Sequence, residues 1–360
     1  EVCSPSRAAL LTGRYPASVG MQYGLVGIDD AWGLSLDETL LPQVLKSNGY
    51  TNYVLGKWHL GNYSPQYLPT ARGFHNFTGI LSGQAFHWSK LDTSYMSYYD
   101  FITSTEECYN GYTESDKSEY STYFYTNKAK EIIESHAESD TPFFLYLPYQ
   151  AVHNPFADQA SVYKHGMPAS YLPDEIIAAI DEETEGSNRR QYFRSLYKFD
   201  QAVGELYNTL VSTGLMDNTY VIFASDNGGC GFDGAFNGPL RGMKGSLFEG
   251  GIKVDSFIYS PLLEQSSIIY DNLFHVSDWF PTILGLAGIS YTASDDKPLD
   301  GVDHSKAWFD SSLKPRTTLL YNIYKNVHDK YFNIWKNGSF AIRNEHYKLM
   351  HTFYNEEYDK

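Results

Sequence analysis

The sequence predicts an α/β fold: a mixed, largely parallel sheet flanked by helices, with the start of a small antiparallel sheet near the C-terminal end. Three observations predict it. Short apolar runs alternate with longer segments of helical period, as in a sheet whose strands are buried on both faces. Three of those runs are followed directly by polar, chemically capable residues, as happens at the carboxyl edge of an open sheet. Finally, "FAIRNEHYKLMH" (340–351) reads as two strands about a turn, an antiparallel hairpin. Residues 1–315 are expected to form the α/β domain and 316–360 to begin a C-terminal subdomain.

The elements follow in order. In "CSPSRAALLTG" (3–13), Ser4 is a fair N-cap and Pro5 suits a first helical position, so a helix is expected directly after Cys3. The thiol would then sit at the positive end of the helix with Arg7 one turn on, a setting that lowers a thiol pKa and favours anions. "TLLPQVLKSNGYTNYVLGKWHLG" (39–61) reads as helix, turn, strand and loop. Thr39 can cap the helix, Pro42 falls among N–H groups that lack partners anyway, Leu41, Val44 and Leu45 make the apolar face, and Gly49 ends it. The strand Tyr50–Leu55 leads into Lys57 and His59. A second strand, Phe143–Leu147, precedes a loop with His153. A long helix is expected over Asn188–Ser212, with Tyr192, Leu196, Val203, Leu206 and Leu210 on one side. The strand Tyr220–Ala224 runs into Asp226-Asn227-Gly228-Gly229, and "PLRGMKGSLFEGG" (239–251) brings Lys244 shortly after.

Composition narrows the function. The 360 residues carry a formal charge of −16, which argues against a nucleic-acid partner. No apolar run reaches the length of a membrane span. Three cysteines are too few for a disulfide framework, although Cys108 and Cys230 can pair. Sequons at Asn62, Asn76 and Asn337 permit a secretory location. Glu1 is not an initiator methionine, so the natural N-terminus is expected to lie upstream.

The acidic balance makes one local concentration of cations more informative. Arg7, Lys57, His59, His153 and Lys244 are all expected at one sheet edge, with Cys3 beside them and Asp226-Asn227 as hard oxygen ligands suited to Ca²⁺ or Mg²⁺. Each has a plainer explanation alone: a solvated lysine, a satisfied loop histidine, an ordinary Asp-Asn-Gly turn, a buried structural cysteine. A turn explains one cluster but not the repeated placement. A divalent ion and a ring of cations suit an oxyanion such as sulfate or phosphate. Each cation about 4 Å from that anion contributes roughly 4 kcal/mol of gross attraction at an effective dielectric near 20. His75, His87 and His275 read as structural.

These motifs resemble those of the type I sulfatases, formylglycine-dependent enzymes of the alkaline phosphatase superfamily. The first signature is Cys3-Ser4-Pro5-Ser6-Arg7 followed by Ala8-Ala9-Leu10-Leu11-Thr12-Gly13. The second runs from Gly49-Tyr50 to Gly56-Lys57-Trp58-His59-Leu60-Gly61. "LPTARGF", "YLPYQAVHNP", "SDNGG", "PLRGMKGSLFEGG", "HVSDWFPT" and "PLDG" are similar to the arylsulfatase B branch, which includes N-acetylgalactosamine-4-sulfatase. The resemblance implies an alkaline phosphatase-like fold and hydrolysis of a sulfated sugar or aryl sulfate. It implies that a formylglycine-generating enzyme converts Cys3 to formylglycine, whose hydrate is the nucleophile. Arg7 and Lys57 would hold that hydrate. Asp226 and Asn227, with the modified Cys3, would ligate Ca²⁺ in preference to Mg²⁺, and Asp226 would take the attacking hydroxyl's proton. His153 and Lys244, with Lys57, would bind sulfate; the first two would also protonate the leaving oxygen. His59 would help the sulfated hemiacetal collapse, restoring the aldehyde. A secretory, lysosomal or extracellular location is implied as well.

The departure from the pattern lies at the front, because the family carries a pair of metal-binding aspartates on a first strand ahead of the cysteine motif. Residues 1–360 are therefore expected to be a fragment lacking that strand and the end of the C-terminal subdomain, to bind Ca²⁺ weakly and to turn over poorly. Two other readings stay open: a formylglycine-dependent phosphonate or phosphodiester hydrolase, and a non-catalytic chain that binds sulfated glycans.

Overall fold

The computed structural model describes residues 2–351 apart from 23, 94–98, 108–118, 158–164, 185, 264–266, 311, 324–326, 330–333 and 337–338. Helix α1 spans Cys3–Thr12 and is almost wholly buried. It begins earlier than the sequence suggests: Val2 occupies the cap without a side-chain bond, and Cys3 is already the first helical residue. Ser4 caps nothing, because its hydroxyl instead accepts a hydrogen bond from the Val26 amide at 3.2 Å. Gly13, in the left-handed region at φ 68°, ends the helix, and its carbonyl accepts from the Asp300 and Gly301 amides. Ala8 and Leu11 pack into a core with Val54, Trp58, Leu60, Phe74 and Phe77.

Helix α2 covers Leu41–Ser47, two residues beyond the expected Thr39 cap; the Leu40 amide donates to Gln43 Oε1 at 2.8 Å instead. Its Leu41, Val44 and Leu45 do form the buried face, against Phe280 and Leu284. Strands β1 (Thr51–Lys57), β2 (Asn76–Ile80) and β3 (Ile102–Thr105) precede α3 (Ser121–Ser135) and β4 (Phe143–Tyr146). The sheet order is β3-β2-β1-β4, with β1 parallel to both β2 and β4 and only β3 antiparallel. Helices α4 (Asp174–Glu183) and α5 (Ser187–Ser212) lead to β5 (Val221–Ala224), the short α6 (Glu249–Ile252), β6 (Ser256–Tyr259) and α7 (Trp279–Leu286). Strand β5 pairs antiparallel with β6 as a separate two-stranded ladder. Thus β4 and β5 each have one strand partner among the described residues and one open edge. Both deliver candidate residues from their carboxyl ends.

A cavity of about 1850 Å³ lies between those edges. Phe143–Leu147 line one wall and Val221–Ala224 another, with Ile283 and Leu286 of α7 also lining it. The expected apolar side of α5 lines it too: Tyr192, Leu196, Val203, Leu206 and Leu210. Of these only Leu210 is buried, and Leu196 is 37% exposed. Ser195, Lys198, Ala202 and Thr209 are buried with it. Helix α5 packs along α3, where the Ser195 hydroxyl meets Tyr120 at 3.0 Å, Lys198 lies over the Tyr123 ring and Leu206 and Leu210 pack with Ile133, while Tyr192, Leu196 and Val203 line the cavity.

The C-terminal strands are β7 (Thr318–Ile323), β8 (Val327–Asp329), β9 (Ile334–Lys336), β10 (Phe340–Asn344) and β11 (Lys348–His351). The expected hairpin is β10–β11, paired from Phe340 with His351 to Arg343 with Lys348, and β7 adds the third antiparallel strand. Arg316, at the expected boundary, ties this sheet to the rest. Its guanidinium reaches both oxygens of the fully buried Asp278, the Tyr15 hydroxyl at 2.7 Å and the Asp300 carbonyl at 2.8 Å. The suggested pairing of Cys108 with Cys230 lies outside the described residues, as does the Asn337 sequon.

Candidate active site

Of the eight residues singled out from the sequence, Arg7, Lys57, His153, Asp226, Asn227 and Lys244 line the cavity, and the buried Cys3 and His59 lie against them. Cys3 is buried in the first turn of α1, its Sγ 3.8 Å from Asn227 Oδ1. Burial alone would raise its pKa. Lys244 and Lys57, with hydrogen bonding from His153 and His59, outweigh burial and hold the thiol well below its ordinary value. Among the described residues this is a place where negative charge at position 3 is stabilised from several sides.

Arg7 is the frame of the site. Its NH1 donates to the Lys57 carbonyl at 2.8 Å and its NH2 to Asp226 Oδ2 at 3.1 Å, so one guanidinium links α1, β1 and the loop after β5. Tyr146, at the end of β4, stands 3.4 Å from the same guanidinium. Lys57 ends β1 and is 3% exposed. Burial, with Arg7 and Lys244 nearby, draws its pKa down, against the opposing pull of Cys3 and Asp226. Lys244 is shifted the other way. Burial disfavours its charge, but Cys3, Asp226 and Cys230 raise it above its ordinary value.

His153 and Lys244 form a pair whose proton positions can be assigned. His153 Nδ1 lies 2.6 Å from the Asn154 carbonyl, an acceptor only, so Nδ1 carries the hydrogen. Nε2 is then the acceptor, and the Lys244 ammonium donates to it at 2.8 Å. Burial and then Lys244 push the imidazole pKa down, which keeps it neutral. Asn154, next in sequence, donates to Asp233 at 2.9 Å and fixes this loop against the one that carries Lys244.

His59 is buried with a backbone φ of 61°, and its Nδ1 has no protein partner. Burial and then Lys57 lower its pKa to about 4, so it is neutral near pH 7. Its ring leaves no room beside residue 83: a Cβ on Gly83 would come 2.7 Å from the ring. Two supporting residues escaped the sequence reading. Tyr146 looked like one more apolar strand residue. His87 looked structural, yet its Nε2 donates to the His153 carbonyl at 2.9 Å while its Nδ1 accepts from the Ser121 hydroxyl at 2.7 Å. Only knowledge of the loop's position could have paired His87 with His153, 66 residues away.

The donor set for a hard cation is thin. Asp226 supplies one carboxylate, already engaged by Arg7, and Asn227 one amide oxygen. No group of three or more His, Cys, Asp or Glu side chains that could hold a metal occurs among the described residues. Ca²⁺ usually takes six to eight oxygen ligands. The described residues alone therefore do not make a calcium shell.

The structure thus shows an α/β protein in which a buried cysteine at a helix start is surrounded by cations at the edge of a sheet. The chain belongs to the sulfatase family, whose model, described as Sulfatase, matches residues 1–289. It is 33% identical to arylsulfatase J of Mus musculus over 364 residues, 97% of this chain and 56% of that protein. To N-acetylgalactosamine-6-sulfatase of Mus musculus it is 29% identical, over 89% of this chain and 59% of that protein. The chain thus spans little more than half the length of these relatives. The solved structure of Ps i-CgsB in complex with k-i-k-neocarrahexaose superposes with a TM-score of 0.79 at 28% identity, covering 97% of this chain and 73% of that one. PsFucS1 sulfatase from Pseudoalteromonas sp. shares the fold at a TM-score of 0.72 and 20% identity, over 98% of this chain and 72% of that one.

Proposed function

We propose that the protein hydrolyses a sulfate ester of a sugar or an aryl alcohol, R–O–SO₃⁻ plus water giving R–OH, sulfate and a proton. The observation that carries this reading is the buried position 3 held among Lys57, Lys244, His153, His59 and Arg7. A formylglycine made from Cys3 would supply a hydrate oxygen as the nucleophile, which a thiol cannot replace because it offers no route to release the bound sulfate. The chain's own residues do the rest. Lys57 and Lys244 face the sulfate oxygens and stabilise the charge that builds on them. Arg7 keeps Lys57 and Asp226 in register. The Lys244–His153 pair stands where a proton can pass to the leaving oxygen, with Lys244 the proton-bearing member at neutral pH. His59, neutral and with a free ring nitrogen, can take a proton from position 3.

Calcium is expected of the family, but Asp226 and Asn227 fall short of its needs. We infer further that the part of the cavity between the β4 and β5 edges seats one more strand of the sheet, leaving the end by His153 and Lys244 to the substrate. Two open strand edges flank it, and apolar side chains of α5 and α7 line it. In the family pattern a first strand carries two aspartate ligands, which would make good the missing oxygens. The substrate class is a sulfated sugar, which a relative named N-acetylgalactosamine-6-sulfatase and a structural neighbour holding a hexaose support; galactosamine 4-sulfate is the first candidate from the resemblance of the motifs to the arylsulfatase B branch. The formylglycine-generating enzyme is the expected maturation partner and the secretory route the expected location. No helix among the described residues is long and apolar enough to cross a membrane.

The test is the mass of the Glu1–Arg7 peptide from the full-length protein made in its own host, alongside sulfate release from 4-nitrophenyl sulfate. Formylglycine at position 3 together with turnover is the expected result. Unmodified cysteine and no sulfate release, with the maturation machinery active on a control protein, would overturn the proposal.

A further inference from the structure

We infer that Phe236 and Arg189 form a second subsite, which binds the sugar ring next to the sulfated one in an anionic oligosaccharide; this rests on the sulfatase reading above. Phe236 is 76% exposed, a large apolar surface left in water. It lies on the segment between Asn227 and Lys244 and lines the same cavity as Lys244, His153 and Asn154. That segment is held in place rather than loose. Asn237 donates to the Gly229 carbonyl at 2.9 Å and accepts from the Gly229 amide at 2.8 Å, and Lys244 donates its own amide to Gly229 at 3.1 Å. Asp233 is bound to Asn154, the neighbour of His153. The Phe236 ring therefore has a fixed position relative to the two groups that would hold the sulfate.

Arg189 supplies the charge. Its guanidinium stands over the Phe193 ring at 5.1 Å and the Phe236 ring at 5.8 Å, and NH1 donates to the Gly234 carbonyl at 3.0 Å. Among the described residues no acidic side chain pairs with it. It also sits in the first turn of α5, a place with no acidic residue, where the helix's positive end disfavours a cation. In a chain of net charge −16, this cation stands beside an exposed aromatic face. A pyranose ring presents C–H groups that pack on the negative face of an aromatic ring. A carboxylate or second sulfate on that ring matches the planar fork of an arginine. Because Asn237 and Lys244 both bond to Gly229, Phe236 stands on the same short segment as Lys244, and a sugar joined to a ring whose sulfate lies at Lys244 is placed to meet it.

Inhibition of 4-nitrophenyl sulfate hydrolysis tests this on the full-length, matured protein. The competitors are N-acetylgalactosamine 4-sulfate and a chondroitin 4-sulfate tetrasaccharide. The unaltered protein is expected to bind the tetrasaccharide at least tenfold more tightly than the monosaccharide. Phe236→Ala and Arg189→Ala should each cut that preference to about twofold or less while 4-nitrophenyl sulfate is still hydrolysed, and Phe236→Trp should keep it. Equal inhibition by the two sugars in the unaltered protein, or a preference that survives both alanine variants, overturns the subsite. Absence of 4-nitrophenyl sulfate hydrolysis by the unaltered protein is a different failure, which removes the sulfatase reading and the subsite with it.

Discussion

Lys244 and His153 show how one contact fixes the state of two titratable groups. Because the Asn154 carbonyl takes the Nδ1 hydrogen, the Lys244 ammonium is the only proton source in the pair. On the proposed function, Lys244→Ala removes both that source and a cation that would face the sulfate. It is expected to lower kcat/KM for 4-nitrophenyl sulfate by about 10²–10³, on the scale of losing one transition-state donor. Gly83→Ala should also reduce turnover, by roughly tenfold or more in steady-state kinetics, because the added methyl strikes the His59 ring and rotates it away. The candidate residues themselves were legible in the sequence, since Cys3, Arg7, Lys57, His59 and Asp226 stand in long, specific motifs. Gly83 and His87 were not, because their importance comes from what a distant segment lays against them.

The buried histidines give the protein an acid limit. Burial lowers His87 and His59 to about 4, against 6.5 in an exposed chain. An unfolded chain thus takes up protons near pH 6 that the folded chain refuses. Their contribution is complete above about pH 6.5 and is lost as pH falls towards 4, on the order of 3 kcal/mol for His87. Melting temperatures between pH 7 and pH 4.5 should fall steeply, and His87→Gln should flatten the slope even if it lowers the value at pH 7.

Among the elements, the junction between the α/β part and the C-terminal sheet depends on the Arg316–Asp278 pair. Asp278 is fully buried and also touches His304 at 3.3 Å. Asp278→Ala would strand a charged Arg316, with an expected cost of about 3–5 kcal/mol. A drop in denaturation midpoint of that size, against a small change for the exposed Lys314→Ala, is the check. Helix α5 teaches a different lesson. Its apolar stripe was correctly read from periodicity, but the sequence could not say what the stripe faces. Periodicity reports which side chains share a side of a helix, whereas burial depends on what packs there, and here α3 receives Ser195, Ala202, Leu206 and Leu210 while Leu196 and Val203 are left lining a cavity.

The arrangement of the sheets governs the metal question. With β4 and β5 each open along one edge and only the two oxygen donors Asp226 and Asn227 at the site among the described residues, this chain is expected to bind Ca²⁺ weakly, with calorimetric Kd in the millimolar range or beyond. Tight binding by this chain would show that its donor set has been undercounted. The sequence alone settled the α/β class, the helix at Cys3, the helix–strand pair around Leu41–Leu55, the strands that became β4 and β5, the long α5 and the C-terminal hairpin, because these rest on local periodicity and on motifs read within a few dozen residues; it also named the eight candidate residues, and their gathering was seen only in three dimensions. It could not settle the helix caps, the separation of β5–β6 from the main sheet, the neutral His153 accepting from Lys244, or the exposed Phe236 beside Arg189. Each of these depends on contacts between segments far apart in the chain, and the energy of such contacts is set by packing and burial in three dimensions.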